Sequence, residues 1–174
     1  IDNIEATYEA TKHLLDKGIK NIAFIGVDKS SANAWGDRYI GYEKALNEAG
    51  IPVDEDLVYF EGLKVKSGYV ASEKFLASGK NFDGIICASD EIAMGAINGL
   101  REKGVNTPED VSVIGFNDNV VASYFYPKLT TVKQPSYDMG SVAMRMLIKI
   151  LNNKPLEEAE FILNHELIER ESCK

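Results

Sequence analysis

Residues 84–100 read GIICASDEIAMGAINGL. The apolar run that opens this stretch is short and β-branched, the mark of a strand covered on both faces. Ser89 and Asp90 follow it, and a helix-like pattern begins at once. A buried strand that stops at a polar junction and turns into a helix is half of a βαβ unit, and the rest of the chain repeats it.

Apolar runs at 21–26 (NIAFIG), 56–60 (DLVYF), 82–89 (FDGIICAS) and 111–116 (VSVIGF) read as strands. Segments of helical length lie between them, at 3–17, 36–49, 66–77 and 90–103. Gly18, Gly50 and Gly104 stand where helix C-terminal caps belong. Strand and helix alternating at this spacing predict an α/β fold, a doubly wound parallel sheet with helices on both faces. In such a sheet ligands bind at the carboxyl ends of the strands. Ser89 and Asp90 stand at that edge, together with polar residues at 28–38, 61–66 and 117–119. Either Ser89 or Asp90 can cap the helix that follows by accepting from a free backbone N–H. Capping alone and ligand contact both fit the sequence.

The 174 residues are 45% hydrophobic and 26% charged, the composition of one soluble domain able to bury a core. A formal net charge of −8 opposes attraction to nucleic-acid phosphates or anionic lipid, so this chain alone is not expected to bind DNA or a membrane surface. No run of about 18 apolar residues occurs, and the start of the chain lacks a basic segment followed by an apolar one. Cys87 and Cys173 lie in no metal-ligand spacing; Cys87 reads as a reduced core thiol, which fits a cytosolic protein.

Catalytic signatures are missing. No Gly-rich phosphate loop and no G-x-S-x-G follows a strand, and His13 and His165 are expected at the surface, away from any nucleophile. Asp83 and Asp90 flank one strand and therefore point to opposite ends of the sheet. No catalytic residue, metal or cofactor is expected. Converging hydrogen-bonding side chains without chemistry predict binding.

The succession LLDKGIKNIAFIG, DRYIGYEKALNEAGI, ICASDEIAMGAINGLREKGVNTPEDVSVIGFND and PKLTTVKQPSYDMGSVAMRML, ending in HELIERES, resembles the effector-binding core of LacI/GalR-type transcription regulators, which has a periplasmic-binding-protein-like fold. The resemblance covers nearly the whole chain. Periplasmic sugar-binding proteins share the fold and a weaker version of SDEIAMGA, whereas the continuation TPEDVSVIGF through LTTVKQP is similar to the repressor branch.

The resemblance implies effector-binding roles for particular residues. Arg38, in RYIGY, would reach into the cleft and hold effector oxygens with its planar fork; the plainer reading is an exposed helix arginine paired with Asp37 or Glu43. Ser89 would face the cleft, with Asp90 as its helix-start and hinge-side partner. Asn117 stands where the family usually has an aspartate, and Asp118 follows it. An amide both donates and accepts, so a neutral polyol or an acidic sugar would be tolerated. Leu63 takes the position that often carries a ring-stacking aromatic, with Trp35 or Phe116 as replacements and Phe116 equally a core residue. Lys64 adds a second cation, which with Arg38 favours an anionic or phosphorylated sugar.

On the same resemblance, residues 1–128 form the second lobe of the family core. Residues 129–157 form a returning segment and helix that would pack on a first lobe, and 158–174 the C-terminal strand and tail. The implied parent is a cytoplasmic, homodimeric repressor. Its core would close on a small-molecule effector, a sugar or sugar derivative, and change how DNA-binding headpieces, absent here, meet operator DNA. The alternative is a solute-binding protein of a sugar transport system. Met139, Val142, Ala143, Met146, Leu147 and Ile150 form one apolar stripe at helical spacing. It either folds back onto the chain's own sheet or stays exposed to meet a second copy.

Overall fold

The computed structural model describes residues 1–28, 30, 33–156 and 158–174. Among them a six-stranded sheet runs in the order β2-β1-β3-β4-β5-β6. The strands are β1 (Ile22–Gly26), β2 (Val58–Phe60), β3 (Gly84–Cys87), β4 (Ser112–Asn117), β5 (Thr130–Lys133) and β6 (Glu166–Ile168). All neighbours pair in parallel except β6, which runs antiparallel to β5. The helices are α1 (Asn3–Asp16), α2 (Ala34–Glu48), α3 (Val65–Ser78), α4 (Asp90–Glu102) and α5 (Ser136–Leu151).

Every residue of β1 and β3 is buried, as is β4 up to Phe116, so the continuous apolar runs in the sequence are strands covered on both faces. The edge strand β2 departs from that expectation and is only half-buried. Right-handed crossovers in opposite directions from β1 put α2 on one face and α3 and α4 on the other; α1 packs with α2. An aromatic cluster fills the layer between β1 and α2. Phe24 meets Tyr39 and Tyr42 at 5.3 and 5.2 Å between ring centroids, and the Tyr42 hydroxyl donates to the Ile22 carbonyl at 2.7 Å. Gly18, Gly50 and Gly104 take left-handed φ of 84°, 70° and 79° after their helices, as expected.

Helix pairs meet backbone to backbone. Gly68 on α3 lies against the Ile92 carbonyl of α4, and Gly95 on α4 lies against the Val65 carbonyl of α3. Gly41 on α2 comes nearly as close to the Ile4 carbonyl of α1. No side chain fits at these crossings.

The strands at the far end of the sheet are pinned by residues that follow β6. Ser172 is 0% exposed; its hydroxyl donates to the Val113 carbonyl at 2.6 Å and accepts from the Thr130 N–H at 2.8 Å. Ser172→Ala strands both backbone groups and is expected to cost about 2 kcal/mol in urea unfolding. A loss under about 0.5 kcal/mol would mean that water replaces the hydroxyl at this site.

The α5 stripe does not fold back onto the sheet. No residue of α5 is buried, and Met139, Leu147 and Ile150 are 38%, 47% and 54% exposed.

Candidate functional site at the carboxyl edge of the sheet

The loop after β1 delivers the first site residue. Asn33 caps α2, its side-chain oxygen accepting from the Trp35 and Gly36 N–H groups, so the helix starts at Ala34 rather than at Gly36 as the pattern suggests. One turn later Arg38 points inward. It is 2% exposed, which rules out the exposed surface arginine. Its Nη1 donates to the Ala88 carbonyl at 2.5 Å, and its Nε donates to Asn3 Oδ1 at 3.0 Å. The guanidinium carbon lies 3.6 Å from the Phe116 ring centroid and 4.3 Å from that of Trp35. Burial lowers its pKa to about 9, against the pull of Asp90 and Asp37, and it stays a cation at neutral pH.

Two candidates thereby gain assignments. Phe116 is a core residue, 2% exposed, and carries the arginine on its ring. Trp35 is half-buried beside the same guanidinium. Leu63, after β2 at the sheet's edge, packs half-buried on the apolar core, and Lys64 is exposed just before α3. Neither shares a hydrogen bond or ring contact with the Arg38 group among the described residues.

Ser89 and Asp90, alike in the sequence, do different work. Ser89 is the cap of α4, accepting from the Ile92 N–H at 3.3 Å. Asp90 is not a cap. Fully buried, it accepts from the Thr131 hydroxyl at 2.5 Å and from the Asn119 N–H at 2.6 Å, joining the end of β4 to β5. Desolvation raises its carboxyl to about 6 despite both bonds. Asp83, at the other end of β3, accepts from the Asn21 N–H, as its distant placement requires.

β4 ends in strained backbone. Asn117 and Asp118 take φ of 114° and 56°, left-handed values in non-glycine residues, a conformation that gathers at binding sites. Asn117 Oδ1 accepts from Gln134 Nε2 at 2.6 Å. Asp118 accepts from Arg170 Nη2 at 2.6 Å, and Arg170 Nη1 donates to the Leu129 carbonyl at 2.7 Å. A groove of about 640 Å³ opens here, lined by Asn117, Lys133, Gln134 and Tyr137 among others. Sequence reading gave Thr131, Gln134 and Arg170 no role. Their partners lie 41, 17 and 52 residues away, beyond any local pattern.

The histidines need a correction. Both are half-buried rather than on the surface: His13 faces Glu169 at 3.4 Å and His165 faces Glu9 at 2.9 Å, tying α1 to the chain around β6. Burial lowers the His13 pKa. Among the described residues no three His, Cys, Asp or Glu side chains are grouped to hold a metal, and no helix is long and apolar enough to cross a membrane.

A parallel sheet closed by an antiparallel sixth strand, with a buried arginine over its carboxyl edge, has relatives. The family described as "Periplasmic binding protein-like domain" matches residues 11–173. The chain belongs to this periplasmic-binding-protein-like family. Within the family it corresponds to the C-terminal effector domain of LacI-type regulators. It is 63% identical over 172 residues to the HTH-type transcriptional regulator RegA of Clostridium saccharobutylicum, covering 99% of this chain and 52% of that protein. Two solved structures match closely. Transcription regulator CcpA of Lactococcus lactis has a TM-score of 0.92 at 36% identity, over 100% of this chain and 63% of that one. A transcriptional regulator CelR–cellobiose complex has a TM-score of 0.92 at 34% identity, over 99% and 52%. The chain thus spans about half the length of the curated relatives it matches. These relatives are regulators of transcription and not enzymes.

Proposed function

We propose that this periplasmic-binding-protein-like chain is the sensing lobe of a cytoplasmic, homodimeric transcriptional repressor, and that it binds a sugar or sugar derivative at the carboxyl edge of its sheet. The observation that carries this reading is the buried Arg38, fixed by Ala88 and Asn3 at strand ends where such folds take ligands, in a chain whose relatives are regulators. A cellobiose complex among the matching structures supports a sugar as the ligand class.

In this reading residues 1–128 and 158–174, joined in one sheet by β5 at the start of the returning segment 129–157, form one lobe, and α5 of that segment lays its exposed stripe on a second lobe. Arg38, Ser89 and Asn117 line the cleft, with Trp35 and Leu63 at its margin and Asp90 holding the wall behind. Closure on the effector then shifts the balance between arrangements that hold DNA-binding headpieces on operator DNA and those that release them. The effector moves that balance only by its difference in affinity for the two.

Thermal-shift screening of the intact regulator against sugars and their derivatives tests the proposal. A hit at a hundredfold its Kd stabilises by about 2.7 kcal/mol. Arg38→Ala is expected to weaken binding of that hit by about tenfold to a hundredfold, since an effector oxygen loses its charged partner. Unchanged affinity by calorimetry would return Arg38 to a purely structural role.

A further inference from the structure

Arg170 follows β6 in a stretch that is neither helix nor strand, and three bonds fix it there. Its N–H donates to Thr130 Oγ1 at 2.9 Å, its Nη1 to the Leu129 carbonyl at 2.7 Å and its Nη2 to Asp118 Oδ1 at 2.6 Å. The chain after it is tied down as well, the Glu171 and Ser172 N–H groups both donating to the Lys128 carbonyl. The two side chains of the ion pair are largely enclosed, 17% exposed for Arg170 and 18% for Asp118, so their attraction is screened less than at an open surface.

The other end of the pair is the strained loop. Asn117 and Asp118 hold φ of 114° and 56°, and such conformations persist in non-glycine residues only where the surroundings impose them. The ladder to β5 stops at Asn117, opposite Lys133. Beyond it the Asp118 N–H reaches Thr131 Oγ1 only at 3.4 Å, and the Asn119 N–H donates to Asp90 at 2.6 Å. Side chains supply the remaining ties, Gln134 on Asn117 and Arg170 on Asp118. A guanidinium already seated on a carbonyl is a rigid fork, so it fixes where the Asp118 carboxylate sits as well as attracting it.

We infer that Arg170 is a positioning residue for the effector edge: through Asp118 it holds the backbone of residues 117 and 118 in the left-handed turn that presents Asn117 to the groove and to Gln134. The inference rests on the effector-binding reading above and adds to it a residue that does not itself line the groove. Without the pair the turn is free to relax towards ordinary φ, and relaxation at residue 117 re-aims its side chain and breaks the Gln134 bond. The competing role for Arg170 is that of a strand pin, since two of its three bonds go to the start of β5. The two roles loosen different parts of the molecule when the side chain is lost.

Hydrogen–deuterium exchange of the intact, unliganded protein separates them. In Arg170→Gln the Asp118 and Asn119 amides are expected to exchange at least about tenfold faster than in the wild type, while those of Leu129 and Thr130 stay within about twofold. Arg170→Lys keeps a charge for Asp118 and is expected to recover most of the protection. Asp118→Ala breaks the pair from the other side, leaves Arg170 its bonds to Leu129 and Thr130, and is expected to speed exchange in the same loop. Faster exchange at 129 and 130 with the loop at its wild-type rate overturns the inference, as does a loss of protection in Arg170→Lys equal to that in Arg170→Gln. Should Arg170→Gln fail to fold, Asp118→Ala decides, and an unchanged loop in that variant overturns the inference.

Calorimetric titration with cellobiose carries the effect to the ligand. Binding at least about tenfold weaker in Arg170→Gln and largely restored in Arg170→Lys supports the inference, and wild-type affinity in Arg170→Gln overturns it. The exchange measurement needs no ligand. A wild type that fails to bind cellobiose therefore counts against the sugar-sensing reading, and the exchange result still decides the role of Arg170.

Discussion

Gly95→Ala is expected to lose about 3 kcal/mol of unfolding free energy, read as a lowered urea midpoint at unchanged slope. The added methyl would stand 2.8 Å from the Val65 carbonyl carbon and closer still to its oxygen. These are backbone atoms of a neighbouring helix, so no rotamer change relieves the clash and α3 must move off α4. Alanine has the higher helix propensity by about 1 kcal/mol, which offsets only part of the cost. A variant as stable as the wild type would show that the helices separate freely. Gly50→Ala is a poor control because its φ is 70°, whereas Gly140→Ala, on the exposed α5 with open space around it, is expected to change stability by under about 1 kcal/mol.

Asp90→Ala is the second large effect, about 2 to 3 kcal/mol at neutral pH. It leaves the Thr131 hydroxyl and the Asn119 N–H without their acceptor and opens space next to Gly115. The wild-type residue also makes stability depend on pH. Its folded pKa, about 6, lies above the ordinary carboxylate value, so between about pH 4 and pH 6 the folded state holds a proton that the unfolded state has lost. Asp90's contribution is therefore most favourable below about pH 4 and declines as pH rises through about 6. Asp90→Asn removes this component. Urea unfolding of both proteins across that window should show a stability difference that varies with pH, and parallel curves would place the Asp90 pKa near its ordinary value.

Much of this molecule is legible in its sequence because its central strands are buried on both faces. Such strands are apolar end to end, as NIAFIG and VSVIGF are, and stand out from any helix. The strand 82–89 shortens to Gly84–Cys87 because its last residue caps a helix instead of extending the ladder. β5 and β6 are harder to read. Each is three or four residues long, and their pairing depends on Thr131 meeting Ile168 across a long excursion through α5. At the site, Arg38 is singled out by the family resemblance and lies one turn into α2, while Ser89 stands in the turn after β3. Asp90 is recognisable as polar but not as fully enclosed, since its partners come from β5 and the loop after β4. Arg170 is invisible locally, because a lone arginine in IERES looks like any solvated residue until Asp118 is brought beside it. The α5 stripe shows the limit most plainly. Periodicity finds the apolar face without saying what covers it.

The glycine crossings carry a mechanical consequence. With α3 seated on α4, and α1 on α2, through main-chain contact, each pair has almost no soft side-chain layer to shear and behaves as a stiff plate fastened to the sheet. Bending must then gather where the chain leaves those plates, and the left-handed residues 117 and 118 and the junction at Gln134 and Pro135 are such places. One amide-to-amide bond, Gln134 to Asn117, bridges the two. It adds a side-chain latch to the β4–β5 ladder that already pairs Asn117 with Lys133, so torque on α5 is passed to the end of β4 at this corner of the sheet.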